Sequence, residues 1–215
     1  MKITKLEHSG LVIENNQQKI VCDPVEFTHQ LPKLDQVIAI VITHKHNDHF
    51  QPEKITQILA DNPQARLFAP EDIELDEIAG HPIEKVAADV VWKLPEFHLS
   101  FFGRDHASII PGVVPCRNLG VIINGEIVNP GDSFDTPDLP GRVKVLCVPS
   151  AAPWCKVPEG MAYIKQVKPE IAIPVHDAVL SELGRSFNNN LLTKAAEEAD
   201  AKLIALQPSE SFELN

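Results

Sequence analysis

Four side chains able to bind a metal ion fall within six consecutive residues, His44-Lys45-His46-Asn47-Asp48-His49. In an extended segment residues two apart share a side, so His44, His46 and Asp48 can face one cavity. His49 joins them if the chain turns there, and Pro52 starts a helix almost at once. One ion does not easily take all four donors. Two adjacent ions can share them, the geometry that clamps the attacking and leaving oxygens of a hydrolysis. Burying three imidazoles and a carboxylate unpaired would be costly, so the pattern has no comparable structural explanation.

A two-ion site needs further donors, and three later positions qualify, each at or just past the end of a predicted strand. His106 follows the strand Phe97-His98-Leu99-Ser100-Phe101-Phe102. Asp132 lies just past a hairpin, in Asn129-Pro130-Gly131-Asp132-Ser133. His176 ends the strand Ile171-Ala172-Ile173-Pro174-Val175. Imidazole nitrogens with carboxylate oxygens suit divalent ions, Zn2+ first, with Mn2+ or Fe as alternatives, and no clustered thiolates compete. Two divalent metal ions are therefore the expected cofactors.

The elements that must position these residues are legible in outline. Residues 2–23 read as a β-meander, ended by Asp23-Pro24 because proline cannot donate to a strand ladder. The apolar run 37–43 is a buried strand that delivers the histidine-rich stretch to its own end, where open α/β structures place their chemistry. A helix follows from Pro52 with Ile55, Ile58 and Leu59 on one face. The pattern predicts a strand over 65–69 and a short acidic helix over 71–79 closed by Gly80. Strands are expected between 85 and 103. Residues 118–128 form the clearest hairpin, around Asn124-Gly125, a dipeptide suited to a type I′ turn. Another buried strand spans 143–148, and 161–167 reads as helix. A helix in two pieces, broken at Gly184 and Asn188-Asn189-Asn190, should follow His176, and 202–206 gives the last strand. Strand-rich halves with few helices suggest two packed sheets with helices outside, in one domain over 1–215.

Composition narrows the partners. The formal charge of −11 and the lack of a basic stripe speak against nucleic acid, which is bound mainly by Lys and Arg. No window approaches a membrane span and the first residues carry no apolar leader. The scattered Cys22, Cys116, Cys147 and Cys155 read as free thiols in a reducing compartment, so a cytoplasmic location is expected. A small-molecule substrate is the expected partner, and homo-oligomerisation stays open. Phe27, His29, Arg117, Trp154 and Cys155 lie in loops that can line a cleft, and His8 and Asp23 can support a ligand from behind. His8, Arg117 and Trp154 are the candidate substrate-binding residues, Arg117 through pairing with an anionic group.

The motif His44-x-His46-x-Asp48-His49, followed in order by His106, Asp132 and His176, resembles the metallo-β-lactamase-fold hydrolase superfamily. Several pieces are most similar to its small branch that includes ascorbate-6-phosphate lactonase: Glu7-His8-Ser9-Gly10, Val21-Cys22-Asp23-Pro24, Gly131-Asp132-Ser133 and Pro174-Val175-His176. The resemblance implies a four-layer αββα sandwich of two mixed sheets with the site along one edge. By analogy His44, His46 and His106 bind one ion, Asp48, His49 and His176 the other, and Asp132 bridges them. A hydroxide between the ions would be the nucleophile, with Asp48 as the catalytic carboxylate that orients it and takes its proton. The substrate implied is an ester, lactone or phosphodiester of a small anionic metabolite. His106 is followed by Ala107-Ser108 and not by a Thr-Pro-Gly-His-Thr motif, which separates the chain from glyoxalase II. His46 stands where flavodiiron oxygen reductases carry Glu. Two other functions share the fold: a nuclease or RNA-processing enzyme, which the acidic charge disfavours, and a non-catalytic metal-binding module, which the full set of seven donors disfavours.

Overall fold

The antiparallel meander expected at the start is present, with β1 (Lys2–Lys5), β2 (Leu11–Asn15) and β3 (Gln18–Cys22) paired in order. The structure is a computed structural model and describes residues 1–214. β4 (Val37–Val41) lies parallel to β3, and α1 (Pro52–Asp61) crosses back so that β5 (Arg66–Pro70) runs parallel to β4. Pro52 opens α1, where its missing N–H costs nothing, and Ile55, Ile58 and Leu59 form the buried face. Two short strands, β6 (Glu77–Ile78) and β7 (His81–Val86), complete that edge.

The second half begins with antiparallel β8 (Val91–Leu94), β9 (Phe97–Phe102), β10 (Gly120–Ile123) and β11 (Ile127–Asn129). Asn124 and Gly125 join β10 to β11 with φ of 54° and 69°, as a type I′ turn requires. β12 (Val145–Pro149), α2 (Val157–Val167), β13 (Ile171–Val175), α3 (Glu182–Glu198) and β14 (Lys202–Leu203) then add a parallel portion. Finally β15 (Ser211–Glu213) returns to pair with β1. The result is two mixed sheets, ordered β15-β1-β2-β3-β4-β5-β7-β6 and β14-β13-β12-β11-β10-β9-β8.

The alternation of side chains assigns the layers. In β4, Ala39 and Val41 join the core between the sheets, while Ile40 and Ile42 pack with Ile55, Ile58 and Leu59 of α1 on the outer face. In β12, Val145 and Cys147 face the other sheet, while Leu146 and Val148 pack with Tyr163, Ile164 and Leu192 of α2 and α3. Strands covered on both faces must be apolar throughout, which explains the unbroken runs in β4 and β12. The αββα sandwich expected from the sequence is therefore observed.

Three expectations fail, the first at the end of the chain: β14 covers only Lys202–Leu203 of the strand expected over 202–206, and the last strand is β15, which pairs with β1. Residues 71–76 are irregular and lead into β6, so 71–79 is not a helix. Asp72 there accepts the Arg117 amide N–H and faces Lys45, while Ile73 is buried under the sheet, and these tertiary contacts outweigh helical propensity. After His176, α3 is one continuous helix through Gly184 and Asn188-Asn189-Asn190. Gly184 falls in its first turn, where its N–H is capped by Ser181 Oγ, and Asn188 donates to the Ser150 carbonyl. No helix among the described residues is long and apolar enough to cross a membrane.

Candidate metal centre

Five chain segments reach the site from the ends of β1, β3, β4, β11 and β13, carrying His8, Asp23, His44 to His49, Asp132 and His176. His106 arrives on the segment after β9. The clustering follows the rule that open parallel sheets place their chemistry beyond strand carboxyl ends. Three of the site's residues, His8, Asp23 and His176, carry φ of 59°, 44° and 58°, a left-handed conformation that L residues avoid unless their surroundings impose it.

All seven residues singled out as ligands come together. The donor atoms of His44, His46 and His106 lie within 4.8 Å of one another, as do those of His8, Asp48, His49 and His176. Asp132, buried at 2% exposure, touches both groups. Its Oδ2 lies 3.2 Å from His106 Nε2 and 3.1 Å from His176 Nε2, and its Oδ1 lies 3.0 Å from His49 Nε2. Yet His8 Nε2, His44 Nε2, His49 Nε2, His176 Nε2 and Asp132 Oδ1 are buried without a hydrogen-bond partner. Buried polar atoms in that state are rare and costly. Here the last four converge as lone-pair donors, so the residues present fit divalent ions.

The opposite ring nitrogens explain why those lone pairs point inward. His49 Nδ1 donates to Asp23 Oδ2 at 2.8 Å, His176 Nδ1 to the Ala151 carbonyl at 2.7 Å and His106 Nδ1 to the Ala107 carbonyl at 2.5 Å. Each donation places the ring proton on Nδ1 and leaves Nε2 free to ligate. Asp23 in turn accepts from the Thr43 amide and hydroxyl, both at 2.8 Å, which ties β3 to the start of the motif. Trp154 Nε1 donates to Asp132 Oδ2 at 3.0 Å, and the Asn118 side chain accepts the Asp132 amide N–H at 2.8 Å. Gly131 precedes Asp132 with φ of 61°, and a Cβ there would sit 2.3 Å from Asn118 Oδ1. Only glycine lets the chain pass that close.

His8 has the reverse pattern. Its Nδ1 accepts the Ala178 amide N–H at 3.2 Å, and burial holds its pKa below the usual value, so the ring carries one proton, on Nε2. Nε2 lies 3.5 Å from Asp48 Oδ2 without a formed hydrogen bond. His8 is thus assigned as a donor to the site and not as a lone-pair ligand, although it lies among the ligand atoms. Burial opposes charge on His49, but Asp132 and Asp23 outweigh it and raise its pKa well above the ordinary histidine value. Burial likewise opposes charge on His176, while Asp132 and Asp48 bring its pKa up to about 9. Burial would raise the Asp132 pKa, but His49 and the surrounding imidazole contacts hold it well below the carboxylate range. Protons on histidines thus balance the carboxylates when no cation is bound.

The other candidate residues make contacts within the fold. Trp154 reaches the cluster, but its polar atom is committed to Asp132. Arg117 bonds Asp105 at 2.9 Å and Glu71 at 3.2 Å, so its charge is answered within the fold, and it lines a separate cavity with Pro70 and Val86. Thr43, Asn118 and the Ala151 carbonyl escaped the sequence reading, since neither spacing nor residue type marks them.

Glu7 holds the loop beside His8. Its carboxylate accepts the amide N–H groups of Phe27, Thr28 and His29 at 2.8, 2.9 and 3.1 Å and the Thr28 hydroxyl at 2.5 Å. Phe27 then meets the edge of the His8 ring, with centroids 5.6 Å apart. Burial opposes charge on Glu7, but these donors prevail and lower its pKa to about 2. A depressed carboxylate stabilises fully above its unfolded pKa and loses that contribution as pH falls through the folded one. The loop should therefore stay closed above about pH 4.5 and loosen toward pH 2. Glu7→Gln should loosen it at neutral pH, with amide exchange at residues 27–29 roughly 10- to 100-fold faster. Unchanged exchange there would remove Glu7 from this role.

Comparison with known proteins agrees with the geometry. Residues 2–176 match the model of the Beta-lactamase superfamily domain, and the chain belongs to that family. It is 31% identical over 199 residues to protein Rv0786c of Mycobacterium tuberculosis, covering 90% of this chain and 92% of that one. It is 23% identical to the UPF0173 metal-dependent hydrolase of Archaeoglobus fulgidus over the full length of both. Igni18, a metallo hydrolase of Ignicoccus hospitalis, superposes with a TM-score of 0.72 at 21% identity, covering 100% of this chain and 99% of that one. CmlA, a diiron β-hydroxylase of Streptomyces venezuelae, superposes at 0.75 with 11% identity, covering 99% of this chain and 54% of that one. Likenesses this remote show the fold alone, and one fold hosts many chemistries. Fold, donor cluster and family together place the chain among the metal-dependent hydrolases of the metallo-β-lactamase superfamily.

Proposed function

We propose that the protein is a dinuclear hydrolase that cleaves an ester, lactone or phosphodiester bond in a small molecule. The observation that carries this reading is the set of buried, partnerless His44, His49, His176 and Asp132 donor atoms directed at shared points. His44, His46 and His106 would hold one ion and Asp48, His49 and His176 the other, with Asp132 between them. When bound, divalent ions such as Zn2+, Mn2+ or Fe supply acidified water and polarise the scissile oxygen. The chain's own residues then manage geometry and protons. Asp23, Ala107 and Ala151 fix the tautomers, and Trp154 and Asn118 fix the Asp132 carboxylate. Asp48, 38% exposed and within 3.6 Å of His176, is placed to receive the proton that the attacking water gives up. His8 Nε2, 3.5 Å from Asp48 Oδ2, would orient that carboxylate once the site is filled.

Chelation tests the proposal. Dialysis against a strong chelator should abolish hydrolysis of generic aryl esters or aryl phosphodiesters, and Zn2+ or Mn2+ should restore it. Activity that survives complete removal of metal would refute it. An anionic substrate, expected from the sequence, gains no support from the nearest cations. Arg117 is paired as described, and Lys45 lies 3.3 Å from Asp72.

A further inference from the structure

A cavity of about 150 Å³ opens directly on the candidate metal centre, with the His46 and His106 rings in its wall. The rest of its wall comes from the loop between His106 and Arg117, chiefly Ile109, Ile110, Val113 and Val114. No charged side chain lines it. The loop is pinned at its base, where the His106 amide N–H donates to the Cys116 carbonyl at 2.9 Å and Asp105 bridges to Arg117. It is braced further out by the Val113 amide N–H on the Ile110 carbonyl at 3.1 Å. A closed, self-bonded loop of this kind presents a formed surface.

Its apolar side chains are unusually open to water. Ile110 is 59% exposed, Val113 58% and Val114 90%. Scattered exposed aliphatics need no explanation, but a contiguous apolar group rimming a polar centre marks a recognition surface. Ligand sites generally combine apolar walls with a few polar groups that fix orientation. Here the imidazoles supply the polar end and the loop the apolar one.

We infer that the substrate carries an apolar acyl or alkyl group, bound between the 107–116 loop and the His46 and His106 rings beside the bond that is cut. This rests on the hydrolase reading above and specifies its substrate class. A cavity of about this volume accepts a group the size of benzene, so about six carbons should fill it. Each added methylene that leaves water for such a wall strengthens binding by roughly 4-fold.

Two measurements on the Zn2+-loaded protein test the inference. The first titrates the straight-chain carboxylates from acetate to octanoate by calorimetry, which needs no turnover. Affinity should climb about 4-fold per carbon and level off near six carbons. In the double variant Ile110→Asp, Val113→Asp that slope should flatten. The second compares kcat/KM for p-nitrophenyl acetate, butyrate and hexanoate, which should rise in the same order. Carboxylate affinity that climbs with length while no ester, lactone or phosphodiester is cleaved would leave the apolar subsite standing and sink the hydrolase reading. Hydrolysis with a flat length dependence, or no length dependence in binding, would overturn the inference. So would a dimer that Val114→Asp converts to monomer, because that face would then belong to a second copy of the chain.

Discussion

If the proposed two-ion centre is right, Asp132→Asn should cost it at least one ion and lower kcat/KM by on the order of 10³, equivalent to about 4 kcal/mol of transition-state stabilisation. The substitution keeps shape and volume but removes the one negative charge that touches both donor groups. Asp132 lies within 3.2 Å of His49, His106 and His176, and without its charge the two donor groups lose the one anion that could offset two neighbouring cations. The second effect lies in the fold. Asp132 holds the pKa values of His49 and His176 up, so the metal-free variant should release those protons at lower pH. Metal content by mass spectrometry and histidine titration by NMR separate the two effects. Two tightly bound ions in Asp132→Asn would remove the bridging role.

Much of this centre was legible because its residues are local or sit at strand ends. His44 to His49 form one run behind an apolar strand, and a strand buried on both faces reads clearly as such. Asp132 and His176 could be placed because Asn124-Gly125 marks the hairpin and Ile171–Val175 marks the last long strand. The supporting shell was not legible. Asp23 reads as a turn beside Pro24, and only the parallel pairing of β3 with β4 carries it to Thr43 and His49. The Ala107 and Ala151 acceptors are backbone carbonyls, which no residue type announces. His8 was visible as a candidate, but its role turns on the Ala178 amide, 170 residues away in sequence. The partners of Arg117 were hidden for a similar reason. Its charge is claimed by Glu71, which is near only because β5 ends beside the Asp105 bridge. Local composition also misread 71–79 and α3, where buried Ile73, Leu192, Ala195 and Ala196 decide the conformation. Sequence thus reveals donors, whereas the tautomers that would let them ligate depend on tertiary contacts.

Those tautomers also predict how metal changes stability. At a free Zn2+ concentration about a thousandfold above Kd, one filled site adds about 4 kcal/mol, since the ion binds the folded chain and not the dispersed ligands. For a chain of 215 residues each kcal/mol is worth roughly 2–4 °C, so one site should raise Tm on the order of 10 °C. The size of the shift should depend on pH, and its sign follows from His176 and His49. Their raised pKa values give the metal-free protein stability that is full below the unfolded histidine value of about 6.5. That contribution drains away as pH rises toward the His176 value of about 9. Bound metal replaces the protons and needs both rings deprotonated, so binding tightens as pH rises. The gap in Tm between loaded and stripped protein should therefore widen from pH 6.5 to pH 8.5. Differential scanning calorimetry at the two pH values, with and without chelator, measures it. A Tm indifferent to metal at both would mean that the buried donors are satisfied without ions, and a gap that narrows with pH would reverse the assignment of protons to His49 and His176.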